Sequence, residues 1–229
     1  MEQIYNLYPH IGCIFIHIPK TGGTSVTKLL NTLEQQLAES GEPPKFIIPQ
    51  GYSWHKHQPA HIFKNDLGSE VWDNAFKFCF IRNPFELMVS CYFWWLQKAS
   101  KFPQFVQAAN VVRELGSYNS FLKHELGRKY INEYIGEPEH WFLDLRCNDM
   151  VDHIIKLEQP STLLSQLGEF NPQIRHLEIN SELPLLNKTQ RESYQNYYNE
   201  ESIQIVSWRF RYSIYRFNYK FESSEQYKA

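Results

Sequence analysis

GCIFIHIPKTGGTSVTKLLNTLEQQLAES, residues 12–40, is the stretch that sets the fold. Gly12 to His17 is a short run of β-branched and aromatic residues, and Val26, Leu29, Leu30, Leu33 and Leu37 recur at helical spacing further on. Between them lies Pro19-Lys20-Thr21-Gly22-Gly23-Thr24-Ser25, so the order is strand, tight loop, helix. Two adjacent glycines allow dihedrals that a Cβ would forbid and bring backbone N–H groups close to an anion. The loop then delivers that anion to a helix N-terminus, where unpaired N–H donors and the helix dipole favour negative charge. Lys20 adds a point charge; Thr21, Thr24 and Ser25 add hydroxyls. The lysine precedes the glycines, unlike GxxxxGK[ST], so this is not the nucleotide-triphosphatase loop. The plainer alternative is an ordinary Gly-Gly turn beside a surface lysine.

A second strand-loop-helix unit follows at Phe76 to Ile81, FKFCFI, where Asn83 reads as N-cap, Pro84 as N1 and Glu86 as N3 of a helix. Arg82 leaves the strand end that open α/β sheets use for ligands. Ser90 lies about two turns into the helix, on the side of Asn83 and Glu86. An arginine fork with a hydroxyl suits a terminal phosphate; the alternative is an arginine paired with a nearby carboxylate. Two anion sites on neighbouring crossovers imply a ligand with phosphates at both ends. Residues 41–54 suggest a weaker strand, Pro59 to Leu67 a short helix, His153 to Leu157 a strand and Pro160 to Leu167 a helix. Residues 100–150 read as short helices including SYNSFLKHEL, 171–199 as turns, and about Glu200 to Tyr215 as one final helix. The pattern is α/β: a three-layer α/β/α domain with a central, mostly parallel sheet.

The 229 residues, 42% apolar and 21% charged, suit a globular core rather than disorder or a fibre. A formal charge of -2 gives no general attraction for nucleic acid or an anionic membrane, so any anion site is local. Cys13, Cys79, Cys91 and Cys147 lack CxxC spacing, which disfavours a disulfide framework or a structural zinc. No signal segment or transmembrane run is evident, so a soluble cytoplasmic protein is the expectation. Oligomeric state is not legible.

HIPKTGGTS at 17–25 followed by FKFCFIRNPFELMVSCY at 76–92 resembles the carbohydrate-type sulfotransferases, the group of heparan and chondroitin sulfotransferases and small bacterial members. Looser collinear matches are HKHQPAHIFKNDLG at 55–68, IIKLEQ at 154–159 and LPLLNKTQRESYQNYYNEESIQIV at 183–206. The resemblance implies one sulfotransferase domain over 1–229, with a P-loop-like nucleotide core and a substrate-side helical insertion around 100–150. It implies transfer of the sulfuryl group of 3′-phosphoadenosine 5′-phosphosulfate to an acceptor hydroxyl, releasing 3′-phosphoadenosine 5′-phosphate. Lys20, Thr21, Gly22, Gly23, Thr24 and Ser25 would hold the 5′-phosphosulfate. Arg82 and Ser90 would hold the 3′-phosphate, with Lys188 and Arg191 closing from a late loop. Many relatives follow the acid at Glu86 with arginine; here Leu87 stands instead, and Lys188 or Arg191 would supply the second basic group. The acceptor implied is a glycan or glycoconjugate.

In-line transfer needs a base for the acceptor proton and positive charge on the leaving oxygen. Lys20 suits the second task. His55, His57 or a carboxylate elsewhere are candidates for the first, and the resemblance at KHQPA favours His57. The spacing His55-x-His57-x3-His61 also invites a metal, but no HExxH or acidic ligand completes one, and sulfuryl transfer from this donor requires none. Glu158 is left outside the catalytic set. Arg209, Arg211, Arg216 and Lys220 occur without an acid among them, which fits an anionic glycan, an anionic lipid or merely a solvated face. The competing functions are a non-catalytic 3′-phosphoadenosine nucleotide binder and a nucleotide-dependent kinase; the latter lacks a Mg²⁺-binding acid at a core strand end.

Overall fold

The computed structural model describes residues 6–50, 52, 55–129, 137–177 and 190–222. Four strands and nine α-helices appear among them: β1 (Leu7–Tyr8), β2 (Cys13–Ile16), α1 (Gly23–Glu39), α2 (Ala60–Asn74), β3 (Phe76–Ile81), α3 (Pro84–Gln97), α4 (Val106–Glu114), α5 (Tyr118–Lys123), α6 (Glu125–Lys129), β4 (His153–Lys156), α7 (Thr162–Phe170), α8 (Glu200–Arg209) and α9 (Arg211–Arg216). The chain forms two compact units, Met1–Ile81 with Pro138–Asn187 and Arg82–Glu137 with Lys188–Ala229.

The first unit holds the sheet, in strand order β1-β2-β3-β4. β2, β3 and β4 run parallel, with Phe15 opposite Phe78 and Phe80 opposite Ile155, while β1 is antiparallel to β2. A mixed α/β fold with a mostly parallel sheet is thus present. β2 and β3 are buried along their whole length, which explains why both are apolar but for Lys77. The Phe15 and Phe78 rings stack at 5.2 Å, and α1 lays Val26, Leu29, Leu30, Leu33 and Leu37 into the same core. At about 1.5–3 kcal/mol per buried aliphatic side chain, that helix face is a principal stabiliser of the unit. Lys77 interrupts the apolar run of β3; its ammonium donates to the carbonyls of Trp72 and Ala75 and lies 3.2 Å from Asp152.

The second unit is helical. α3 is apolar nearly all round and forms its centre, with Phe85, Leu87, Met88, Val89, Cys91, Tyr92 and Trp95 buried. Asn83 caps it as expected, its side-chain oxygen accepting from the Phe85 N–H at 3.1 Å behind Pro84 at N1. Tyr118 and Tyr198 join hydroxyls at 2.6 Å, and Tyr198 donates to the Phe85 carbonyl. Burial raises both phenols well above their ordinary value.

Several expectations are corrected. The described part of 41–54 contains no strand, because Pro43, Pro44 and Pro49 remove ladder donors around the short apolar run. α2 continues past Leu67 to Asn74 through a kink at Gly68, whose φ of 78° suits glycine. The final helix is two, broken at Phe210 where ψ turns to 27°. β1 was not anticipated: two residues carry too little periodicity to be read.

Candidate functional site

The loop after β2 is built for close backbone approach. Lys20 and Gly22 both adopt left-handed φ, 66° and 80°, and Gly22 is the N-cap of α1. For lysine this conformation is uncommon and is kept only where the surroundings enforce it. Thr21 is fully buried, and its hydroxyl donates to the Ile18 carbonyl at 2.9 Å. Its side chain therefore braces the loop from within. Gly22 accepts from the Ser25 N–H at 2.9 Å, starting α1, and Gly23, Thr24 and Ser25 form its first turn. Gly22 is required by its left-handed φ, its added Cβ meeting only the Leu157 side-chain end at 2.5 Å, and Gly23 by packing, since a Cβ there would lie 1.9 Å from the His17 imidazole.

His57 belongs to the same unit. Its Nδ1 lies 2.9 Å from the His17 carbonyl oxygen, which can only accept. Nδ1 therefore carries the hydrogen, and in the neutral ring Nε2 keeps its lone pair. The segment is pinned on both sides: Asn6 donates to the Lys56 carbonyl at 2.8 Å, and the buried Gln58 amide donates to Asp66 at 2.9 Å. The His57 ring meets the His17 ring edge-on at 4.6 Å and lies 6.4 Å from Trp141. One side of it is open to solvent, yet desolvation by this dense shell lowers its pKa; the His17 carbonyl opposes the shift, and Lys56 and Lys20 add to it. A neutral, correctly tautomerised imidazole thus stands within the electrostatic reach of Lys20.

His17 is the residue the sequence reading missed. It is only 3% exposed, and burial, then His57 and Lys56, hold its pKa well below 6.5. The unfolded chain takes up a proton near 6.5 that the folded chain refuses, so stability is complete above that pH. It falls as pH drops below 6.5, by about 1.4 kcal/mol per pH unit, until the folded value is reached. Urea unfolding between pH 8 and 5 checks this: a His17→Asn protein that keeps the full slope would refute the assignment. The signal available in sequence was the position of His17 at the end of the apolar run that leads into the glycine-bearing loop.

In the second unit Arg82 donates to Glu86 at 2.8 Å, the carboxylate pairing that the sequence offered as the plainer alternative. Arg191, 105 residues away, donates to the same Glu86 oxygen. Two guanidiniums on one carboxylate leave net positive charge, and both have planar forks suited to phosphate. Leu87, at the position of the basic group common among relatives, is buried in the core, and a second guanidinium, that of Arg191, stands at Glu86. Ser90 is buried one turn beyond Glu86 on the same helix side. Lys188 lies outside the described residues. His55 and His61 are exposed, and among the described residues no group of three or more His, Cys, Asp or Glu side chains could hold a metal ion.

Comparison with known proteins decides the family. The model of the sulfotransferase family matches residues 5–220. The chain belongs to that family. It is 25% identical over 151 residues to carbohydrate sulfotransferase 10 of Xenopus laevis, covering 61% of this chain and 40% of that protein. An uncharacterized protein of Archaeoglobus fulgidus is 27% identical over 116 residues, covering 41% of this chain and 93% of its own length. No solved structure matches. The match spans less than half of the frog sulfotransferase, so that protein's name indicates the chemistry of the family and not the acceptor of this member. Among the described residues no helix is long and apolar enough to cross a membrane.

Proposed function

We propose that this sulfotransferase-family protein moves the sulfuryl group of 3′-phosphoadenosine 5′-phosphosulfate to a hydroxyl of a glycan or glycoconjugate. It does so as one domain, residues 1–229, with a three-layer, P-loop-like core and acceptor-side helices around 100–150. The observation that carries the reading is the left-handed Lys20-to-Gly22 loop heading α1, with His57 held neutral beside it. Lys20, Thr21, Gly22, Gly23, Thr24 and Ser25 hold the 5′-phosphosulfate, mainly by main-chain N–H groups. Arg82, Ser90, Lys188 and Arg191 serve the 3′-phosphate. The donor supplies a sulfuryl group on a phosphate leaving group. Nε2 of His57 takes the acceptor hydroxyl proton as the new O–S bond forms, and Lys20 balances charge on the phosphate oxygen released. No metal is required, because Lys20 and the helix terminus already neutralise that oxygen. A cytoplasmic setting is part of this reading.

Calorimetric titration with 3′-phosphoadenosine 5′-phosphate, 5′-AMP and ATP tests the donor. The 3′-phosphorylated nucleotide should bind tightest. Removing one charged phosphate contact, as in Lys20→Ala or Arg82→Ala, should weaken it about 10- to 100-fold, the value of a charge-assisted hydrogen bond. Absence of binding, or equal preference for ATP, would sink the donor assignment. Tight binding without transfer to any glycan hydroxyl would leave a nucleotide-binding protein without turnover.

A further inference from the structure

The helical pair α8 and α9 has two opposed faces. Ser202, Val206, Phe210 and Ser213 are buried, while Trp208, Arg211, Tyr212 and Tyr215 are exposed, and both series follow the helical repeat. Hydrogen bonds from the Phe210 N–H to the Val206 carbonyl and from the Ile214 N–H to the Phe210 carbonyl carry the helical path through the break. Trp208 is 72% exposed, Tyr212 47% and Tyr215 89%. Arg211 lays its guanidinium 4.5 Å over the Trp208 ring, so the aromatic and the charge form one patch.

Beyond the first turn of α8, which holds Glu200 and the Lys123-paired Glu201, the segment itself carries charge of one sign. From Ser202 to Phe221 the chain carries Arg209, Arg211, Arg216 and Lys220 and no acid, in a protein of net charge -2. The charge is therefore concentrated locally. On the exposed side, the large apolar residues are Trp and Tyr, side chains with an apolar body and a polar tip that suit the headgroup level of a bilayer. The surface is a convex helix face, which meets a flat layer more readily than it encloses a single sugar chain.

We propose that the α8–α9 face is a peripheral docking surface for an anionic lipid membrane. Trp208, Tyr212 and Tyr215 enter the headgroup layer, and the exposed cations Arg211 and Lys220 pair with lipid phosphates. Aromatic insertion and basic charge are the two signals that reversible membrane attachment requires together. The docking does not depend on the sulfotransfer reading.

Sedimentation with vesicles of phosphatidylcholine, alone or mixed with phosphatidylglycerol, tests it on the full chain, together with the emission of Trp208. The mixed vesicles should bind the protein and shift its emission to the blue, and the shift should be absent from a Trp208→Phe protein. Binding should fall about fivefold for each cation removed, in Arg211→Gln and Lys220→Gln, and should weaken in high salt. These exposed substitutions should leave thermal unfolding unchanged. Failure to sediment with mixed vesicles overturns the proposal, as does equal sedimentation with neutral ones. So does a Trp208 shift given by a sulfated oligosaccharide but not by vesicles, which would make the face a glycan platform.

Discussion

Replacing His57 with alanine should lower kcat by about 10²- to 10⁴-fold, the usual contribution of a positioned general base. Affinity for 3′-phosphoadenosine 5′-phosphate should stay within a few-fold of the parent, since the ring contacts the His17 carbonyl and ring and is not part of the anion loop. The pH profile gives the sharper test. Desolvation lowers the His57 pKa, so the neutral, proton-accepting form persists below 6.5, and transfer should decline only as pH falls through that depressed value. The alanine protein should lose this acid limb altogether. A parallel fall in nucleotide affinity would instead make His57 part of the donor site, and an unchanged profile would pass the role of base to another group.

Gly23→Ala should be strongly disruptive at the head of α1. The new Cβ would stand 1.9 Å from Nε2 of His17, 2.2 Å from Cδ2 and 2.6 Å from Cε1. The ring has little freedom to yield, enclosed by Phe15 at 5.1 Å and His57 at 4.6 Å. Either the imidazole or the head of α1 must move, at a cost of about 1–3 kcal/mol for overpacking. If the helix head moves, misplacement of reacting groups by an ångström costs about 100-fold in transfer. The double variant His17→Ala with Gly23→Ala should regain much of the lost stability in urea unfolding while remaining poor in transfer. A Gly23→Ala protein as stable and as active as the parent would show that the packing of His17 on this loop is wrong.

Much of the site was legible because its determinants are local. The sequence of β2, loop and α1 announces itself through an apolar run, paired glycines and a leucine repeat, all within one turn or one strand of one another. The cap at Asn83-Pro84 was readable for the same reason, since Asn83 needs only the N–H of Phe85 two residues on. The 41–54 strand failed because short apolar runs look alike until proline donors are counted against a ladder. The final helix was read as continuous because the periodicity of Val206, Phe210 and Ile214 survives a one-residue break.

Local residues fix the α/β class, a mostly parallel sheet and the strand, glycine-bearing loop and helix that run from β2 into α1, since each depends on residues a few positions apart. Long-range packing alone sets the tautomer of His57, through a carbonyl 40 residues away, and the second partner of Glu86, an arginine 105 residues away. It also decided that His17 fills the space a Gly23 side chain would need. Such contacts depend on where the folded chain brings distant segments, and no periodicity or spacing along the sequence encodes that distance.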